Sequence, residues 1–567
     1  MGSLVSVPFH GRTVQGWILG PAAEVPEGKL LSIRQVRSPI RFFDRTMLAL
    51  LQWVSDRYIV PLSVAIQRSY PPRVAGEEAA SHVKPVARGK PRAASLALYG
   101  GGAVIRSGVT TWLRPLPDEE ASTCLEAVET CLASGSRALV LVPEADPLPE
   151  TARALLDEFG DAATLLAGGD ARQRYRTWLD IRSGARELVI GTRPAVFAPM
   201  KGLGLIWVSR EVHPGHREDR APYYHVREVA AARARLEGSA CVLSSLSPSV
   251  ETALAAARGV IRQAPAPRAA ERAAAPLVET TRGQAEGHSP RLASLLRVAE
   301  SAVMIDSRTG YGIARVCRAC GEPAACTSCG GPIAMERGAY ICRVCGARGS
   351  CANCGASAFG IERGGTERIA EWVGRMARVP VALQAPGAQT PTPRAGRIVV
   401  GTAAMVKDLG VLRLELVAIL DPDRALVRPG LRAGERALAT WMEAAAWAGP
   451  RQEGGRVLVQ TRRPSHPAIQ ALVRWDPMPF LLREAEHRRE AGFPPGHPVF
   501  RVYGPHGLGQ AIRAVFPSVE TLLATPVEGG TVCLVVVPPG DLPVFRLALL
   551  GLVRDGGVSR IEAEPQL

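Results

Sequence analysis

The sequence predicts an α/β protein: two lobes on parallel sheets, a double four-cysteine zinc insert in the second, a small β-rich N-terminal domain and an α+β C-terminal domain. Three observations carry this expectation. Short apolar runs alternate with helix-length segments through most of the chain, the pattern of strand-helix-strand units. Eight of the 12 cysteines crowd between Cys317 and Cys354. A chain of 567 residues, 47% apolar and 21% charged, can also bury several separate cores, roughly three to five by length.

In chain order, residues 1–75 form the N-terminal domain and 76–100 a linker rich in Gly, Ala, Pro and Arg. The first lobe spans 101–262, with strand candidates at 138–142, 187–190, 203–208 and 240–243. Residues 263–292, rich in Ala, Pro, Arg and Glu, read as a flexible linker. The second lobe spans 293–460, with strands at 302–305, 379–383, 397–400, 415–420 and 456–460 and the cysteine insert at 317–360. Residues 461–567 make the C-terminal domain.

A formal charge of +15 fits either a polyanionic partner, because a basic surface attracts phosphate and releases its counterions, or solubility alone; that nearly all of it is carried by Arg, whose planar fork suits phosphates and base edges, favours nucleic acid. The first 20 residues lack the basic and apolar regions of a secretory signal, and no run approaches the ~18 apolar residues of a membrane span. A cytoplasmic chain without membrane partners is therefore expected. In that reducing compartment the cysteines read as metal ligands rather than disulfides, and Cys124, Cys131, Cys241 and Cys533 as core residues.

The eight clustered cysteines form four C-x2-C knuckles separated by 5, 12 and 5 residues. Gly321, Gly330, Gly346 and Gly355 each follow the second cysteine of a knuckle, where a left-handed backbone turns amides towards the sulfurs. Two thiolate pairs at this spacing make a tetrahedral zinc site, and no histidine in the segment competes. Pairing consecutive knuckles leaves only five residues to turn the chain; nesting gives the inner pair a 12-residue hairpin of zinc-ribbon type. The expected ligands are Cys317, Cys320, Cys351 and Cys354 for one zinc and Cys326, Cys329, Cys342 and Cys345 for the second, two ions per chain. Four thiolates leave no open coordination position, so these sites hold shape. Iron-sulfur clusters and a redox dithiol are the alternatives.

The cysteine array, the element Gly364-Gly365-Thr366-Glu367-Arg368, the runs LVLVPE at 139–144 and GTRPAVFAP at 191–199, Tyr224-His225-Val226-Arg227 and Val400-Gly401-Thr402 together resemble the bacterial primosomal replication-restart family PriA, a superfamily-2 DNA helicase family. The run VSVPFHGRTVQGWILG at 5–20 is similar to that family's N-terminal domain, which binds DNA 3′ ends. The resemblance implies two RecA-like helicase lobes and primosome partners, including proteins that load the replicative helicase and single-stranded DNA-binding protein. It also implies a longer stretch before Val5 and a winged-helix domain where only the linker stands; either the start is misplaced or the specificity of the 3′-end pocket is reduced.

The motor motifs depart from the family. A phosphate loop needs G-x4-G-K-[S/T], yet no lysine here precedes Ser or Thr, and the matching position reads Arg114-Pro115-Leu116-Pro117-Asp118-Glu119-Glu120. The family's Asp-Glu-Glu-His becomes Ser209-Arg210-Glu211-Val212, and the arginine-finger position in 443–450 is Trp447. These departures lead us to expect a degenerate helicase-like member: no catalytic residues, no ATP hydrolysis, not an enzyme. Its function would then be assembly of the primosome on branched or single-stranded DNA at stalled forks, the zinc module serving as the partner platform and the motor retained as scaffold. The alternatives are an active ATP-dependent 3′ to 5′ helicase and a zinc-ribbon adaptor that binds only protein.

Candidate DNA contacts are Phe9 and Arg12 on or beside a strand, where an aromatic ring can stack on a base and Arg reach phosphate, with Trp17 nearby. Packing of Phe9 and Trp17 in a barrel core is the competing reading. Arg308 and Tyr311 follow the strand 302–305, where helicase lobes touch the single strand, and Arg368 closes the glycine-rich element. Tyr223, Tyr224 and His225 resemble an aromatic-rich loop, or equally a packed helix start.

Overall fold

The computed structural model describes the chain apart from residues 23–30, 80–95, 283–288, 308–313, 321–323, 325, 329–332, 337–338, 343–345, 363–364, 385–391, 429, 520 and 566–567. Two units result: one holds nearly all of 1–267 together with 481–565, the other 268–480.

In the first unit, β1 (Ser3–Phe9), β2 (Arg12–Trp17) and β3 (Gln35–Arg41) form an antiparallel sheet in the order β2-β1-β3. The helix Arg45–Tyr58 follows, capped by the Asp44 carboxylate, which accepts from the Met47 amide at 2.8 Å. It packs on the helix Val226–Glu237 of the first lobe. That lobe is a seven-stranded, all-parallel sheet of β4 (Thr110–Arg114), β5 (Arg137–Leu141), β6 (Ala163–Leu166), β7 (Leu188–Gly191), β8 (Leu203–Val208), β9 (Ala240–Ser244) and β10 (Arg262–Pro265). Its order is β10-β4-β9-β8-β5-β7-β6. The inner strands are apolar except at their ends, Arg137 opening β5 and Ser244 closing β9, because both faces are covered, which is why they were legible as continuous runs.

The second unit repeats the plan with β11 (Leu277–Thr281) and β12 (Ser301–Asp306). A cysteine module follows, built on β13 (Ala314–Cys317), β14 (Ile333–Glu336), β15 (Ala339–Cys342) and β16 (Phe359–Glu362). The lobe then closes with β17 (Val381–Leu383), β18 (Arg397–Thr402), β19 (Leu416–Leu420) and β20 (Arg456–Gln460), giving the parallel order β11-β20-β19-β12-β18-β17. The C-terminal sheet is antiparallel, β21 (Val499–Gly504), β22 (Thr521–Val527), β23 (Gly530–Val536) and β24 (Arg560–Ala563) in the order β22-β23-β21-β24. Phe500 and Phe516 pack on Phe545 of the helix Leu542–Arg554 at 5.2 and 5.1 Å. The α/β class with parallel sheets is as the sequence predicts.

Three boundaries need correction. Residues 263–292, expected to be a flexible linker, hold part of β10, the helix Arg268–Ala274, β11 and the start of the helix Pro290–Leu296. β10 and β11 are edge strands paired with β4 and β20; β10, RQAP, is poor in strand formers and borrows its order from its neighbour, whereas β11, LVETT, carries Val and Thr but lies in a stretch whose overall composition is that of a linker. Part of the linker 76–100 is also ordered: Glu77 and Glu78 are bound to the first lobe. Finally, residues 461–480 stay with the second unit, not the C-terminal domain. Among the described residues no helix is long and apolar enough to cross a membrane.

Candidate metal centre and nucleic-acid interface

The cysteine module is two short antiparallel ladders. β13 pairs with β16, placing Cys317 opposite Phe359, and β14 pairs with β15, placing Ile333 opposite Cys342. The sulfurs of Cys317, Cys320, Cys351 and Cys354 lie within 4.8 Å of one another, a grouping that could hold a zinc ion. Cys317 faces Cys354 at 3.5 Å and Cys320 faces Cys351 at 3.5 Å, so the first and last knuckles of the array meet. Gly346 and Gly355 are left-handed, at φ of 71° and 73°, and their amides donate to the carbonyls of Cys342 and Cys351. Of the other four cysteines, Cys326 and Cys342 are buried beside Ile333, whereas Cys329 and Cys345 lie outside the described residues. Tyr340 joins the two ladders: its hydroxyl donates to the Phe359 carbonyl at 2.5 Å and its ring meets the Phe359 ring edge at 5.0 Å.

The N-terminal candidates sit at a hairpin tip. Phe9 of β1 faces Arg12 of β2 directly. The two-residue turn between them, His10 and Gly11, has φ of 47° and 75°, the geometry that suits tight hairpins. Phe9 is 58% exposed, with the His10 ring 4.4 Å away, and Arg12 is exposed too. Trp17 instead is half-buried against Tyr70 at 6.4 Å. Of the two aromatics, then, Trp17 packs and Phe9 does not. Arg308 and Tyr311 lie outside the described residues; Arg368 is exposed on the helix Gly365–Met376.

Tyr224 is buried against Phe197 at 5.3 Å, and the His225 ring caps the helix Val226–Glu237 by accepting from the Arg227 amide at 3.2 Å. The packed-helix-start reading describes them. Tyr223 shares a guanidinium with the C-terminal sheet: Arg560 lies over Tyr223 at 4.9 Å and over Tyr503 at 4.6 Å.

At the motor-motif positions, the Glu120 carboxylate accepts from the Ser209 hydroxyl at 2.7 Å and the Arg210 amide at 3.3 Å. Glu211 is fully buried, accepting from the Ser249 amide at 2.7 Å and pairing with Arg227 at 3.0 Å. Sequence reasoning missed Arg227 as its partner, for nothing in the local pattern marks a pair 16 residues apart. Trp447 is buried in the second unit, where its carbonyl accepts from the Leu414 amide at 2.8 Å.

Behind these positions His216 is wholly buried, its Nε2 2.7 Å from the Ser209 carbonyl. Burial, reinforced by Arg210, Arg227 and Arg193, pushes its pKa down from 6.5 to about 4 against the opposing hydrogen bond to Ser209. The native state therefore keeps this ring neutral where the unfolded chain takes a proton. Its contribution to stability is full above about 6.5 and declines as pH falls towards about 4. Between pH 7 and 4 the protein should lose about 3 kcal/mol more stability than His216→Gln, measured by denaturant unfolding. Parallel pH profiles for the two proteins would refute this assignment.

Residues 1–71 match the family described as 3′DNA-binding domain (3′BD) of PriA. Over 610 aligned residues the chain is 32% identical to the "Probable replication restart protein PriA" of Mycobacterium bovis, covering 98% of this chain and 91% of that protein. The protein of that name in Mycobacterium tuberculosis matches equally, at 32% and the same coverage. The "Replication restart protein PriA" of Treponema pallidum is 30% identical over 87% of this chain and 81% of its own length.

These relatives correct one expectation. The departures at the three motor motifs led us to expect a chain that is not an enzyme, but the replication restart protein PriA relatives match through both lobes, and a likeness of that extent to the helicase family resembled points to an enzyme. Residue-by-residue comparison at three motifs misled because it weighed local substitutions against a likeness that extends over 98% of the chain. With parallel-sheet lobes, a four-cysteine group and a 3′ DNA-binding domain in one chain, the protein belongs to the replication restart protein PriA family.

Proposed function

We propose that this DNA-binding restart factor acts in the cytoplasm on branched or single-stranded DNA at stalled forks and gathers primosome proteins there, the zinc module serving as their platform. The observation that carries the reading is the 3′DNA-binding match over residues 1–71, whose hairpin tip exposes Phe9 beside Arg12. An exposed ring can stack on any base, and an adjacent guanidinium can take the neighbouring phosphate. Arg308, Tyr311 and Arg368 of the second lobe are further candidate DNA contacts on the resemblance to the family. Two zinc ions, one in each set of four cysteines, hold the module in shape.

The test is fluorescence anisotropy with a fork carrying a free 3′ end, a single strand and a plain duplex. Forks and single strands are expected to bind more tightly; equal affinity for plain duplex would remove the fork-specific reading. Phe9→Ala should weaken single-strand binding by about 1–3 kcal/mol, the worth of one base–aromatic stack. An unchanged affinity would take Phe9 out of the interface. Membership in a helicase family, with both parallel-sheet lobes present, favours a second reading in which ATP drives 3′ to 5′ unwinding. DNA-stimulated turnover of about one per second or faster supports it.

A further inference from the structure

The matched DNA-binding domain ends at residue 71, and the segment just beyond it carries two consecutive acids, Glu77, which is buried, and Glu78, a half-buried residue whose side chain is 5% exposed. The side chain of Glu77 is 4% exposed; it pairs with Arg172 at 2.6 Å and Arg176 at 2.7 Å. Both arginines come from one face of the helix Ala171–Ser183 in the first lobe, one turn apart. Glu78 gathers three elements: Arg73 donates to it at 2.7 and 2.8 Å, the Tyr175 hydroxyl of the same lobe helix at 2.7 Å, and Ser38 of β3 at 2.9 Å. Beneath these acids lies a continuous aromatic stack. Phe42, which follows β3, lies on Trp178 at 5.8 Å, Trp178 lies on Tyr175 at 5.8 Å, and Tyr70 closes on Phe42 at 4.6 Å. Arg182 completes the seam by donating to the Arg41 carbonyl at 2.8 Å.

We propose that residues 73–78 are a latch that fixes the N-terminal DNA-binding domain on the first lobe, with Glu77 and Glu78 as positioning residues for DNA. The inference rests on the reading that the Phe9–Arg12 tip contacts DNA. β3, which the latch holds through Ser38, and the β1–β2 hairpin belong to one sheet, so the latch sets where the tip stands relative to the lobe. Exposed ion pairs alone are worth little. Here the carboxylates are buried, and a buried acid stripped of its partners costs far more than the pair contributes. Hydrogen bonds and charge from Arg176 and Arg172 hold Glu77 below the usual carboxylate range. Burial works to raise Glu78, but Arg73, Tyr175 and Ser38 outweigh it and hold that group low as well. Both acids therefore stay ionised at neutral pH and the latch stays closed.

A fixed pair of sites gains avidity that a swivelling pair does not, because the second contact becomes intramolecular at a set distance. The loss should therefore depend on the length of the DNA. Glu77→Arg in the full chain should weaken binding to a strand long enough to reach both domain and lobe by roughly tenfold. Binding to a tetranucleotide, which spans the tip alone, should be unchanged. Glu78→Gln, which keeps shape and removes only charge, should act in the same direction more weakly. A triple variant with Glu77→Arg, Arg172→Glu and Arg176→Glu reverses every charge and should restore the long-strand affinity.

A dye pair on the hairpin tip and the first lobe supplies an independent readout by single-molecule energy transfer. The wild type should give one narrow distance, Glu77→Arg a broad one, and the charge-reversed triple variant a narrow one again, with far-UV circular dichroism showing all three folded. Should the wild type bind no DNA, the functional reading fails while the distance distributions still judge the latch. Equal distributions in wild type and Glu77→Arg, a broad wild type, or an affinity loss that is the same for tetranucleotide and long strand would each overturn the latch.

Discussion

Elemental analysis of the purified protein is expected to give two zinc ions per chain, and Cys326→Ser is expected to bring that figure below one. A single cysteine lost from one site would ordinarily cost one ion. Here the two ladders share Tyr340, whose hydroxyl and ring both engage Phe359, and Phe359 stands opposite Cys317. Loss of the inner metal would free the β14–β15 hairpin, withdraw Tyr340 and slacken the strand that presents Cys317. Structural zinc contributes on the order of 10–16 kcal/mol of apparent binding energy to small metal-dependent folds, far more than the little core around Ile333 and Phe359 can replace. The result to look for is a zinc-to-protein ratio together with resistance to protease. A ratio near one in the wild type, or iron with visible absorbance, would sink the two-site reading, and clean loss of one ion from Cys326→Ser would show the sites independent.

DNA binding is expected to fall about a thousandfold between roughly 50 and 200 mM salt. With a formal charge of +15 and exposed Arg12 and Arg368, neutralising about six phosphates is a modest demand. Each neutralised phosphate returns close to one counterion to solution, so the logarithm of affinity falls with a slope of about −5 against the logarithm of salt. Titrations at four salt concentrations give that slope directly. A flat response would mean that the positive charge plays no part in binding. Replacing Arg12 with Ala should reduce the slope by about one.

The parts that could be read from sequence share one property: the residues concerned act on their near neighbours. β8 and β20 were bounded to the residue because each carries a continuous apolar run, which in β20 is the buried Val457-Leu458-Val459 between Arg456 and Gln460. The knuckle glycines pointed to left-handed turns, and Gly346 and Gly355 adopt them. β10 and β11 escaped notice because an edge strand needs only a partner's hydrogen bonds, and RQAP has no strand signature of its own. Glu77 and Glu78 were assigned to a linker because their partners, Arg172, Arg176 and Tyr175, lie almost a hundred residues away, at separations of 97 and 99 for the hydrogen bonds. Exposure of Phe9 against burial of Trp17 was open for a related reason, since alternation gives two faces without saying which is covered.

The first unit closes on itself late in the life of the chain. Arg57 of the N-terminal domain pairs with Glu564 at 2.5 Å across a separation of 507 residues, and Arg217 of the first lobe donates to the Ala563 carbonyl at 2.9 Å. A ribosome adding about 5–20 residues per second takes on the order of half a minute to a minute and a half to cover that separation. During synthesis the N-terminal domain and first lobe must therefore wait with the Arg57 and Tyr223 surfaces uncovered while the entire second unit, cysteine module included, emerges. The last strand, β24, works as a clasp that finishes what the first 267 residues began, so a nascent chain stalled anywhere in between carries an open flank for chaperones to guard.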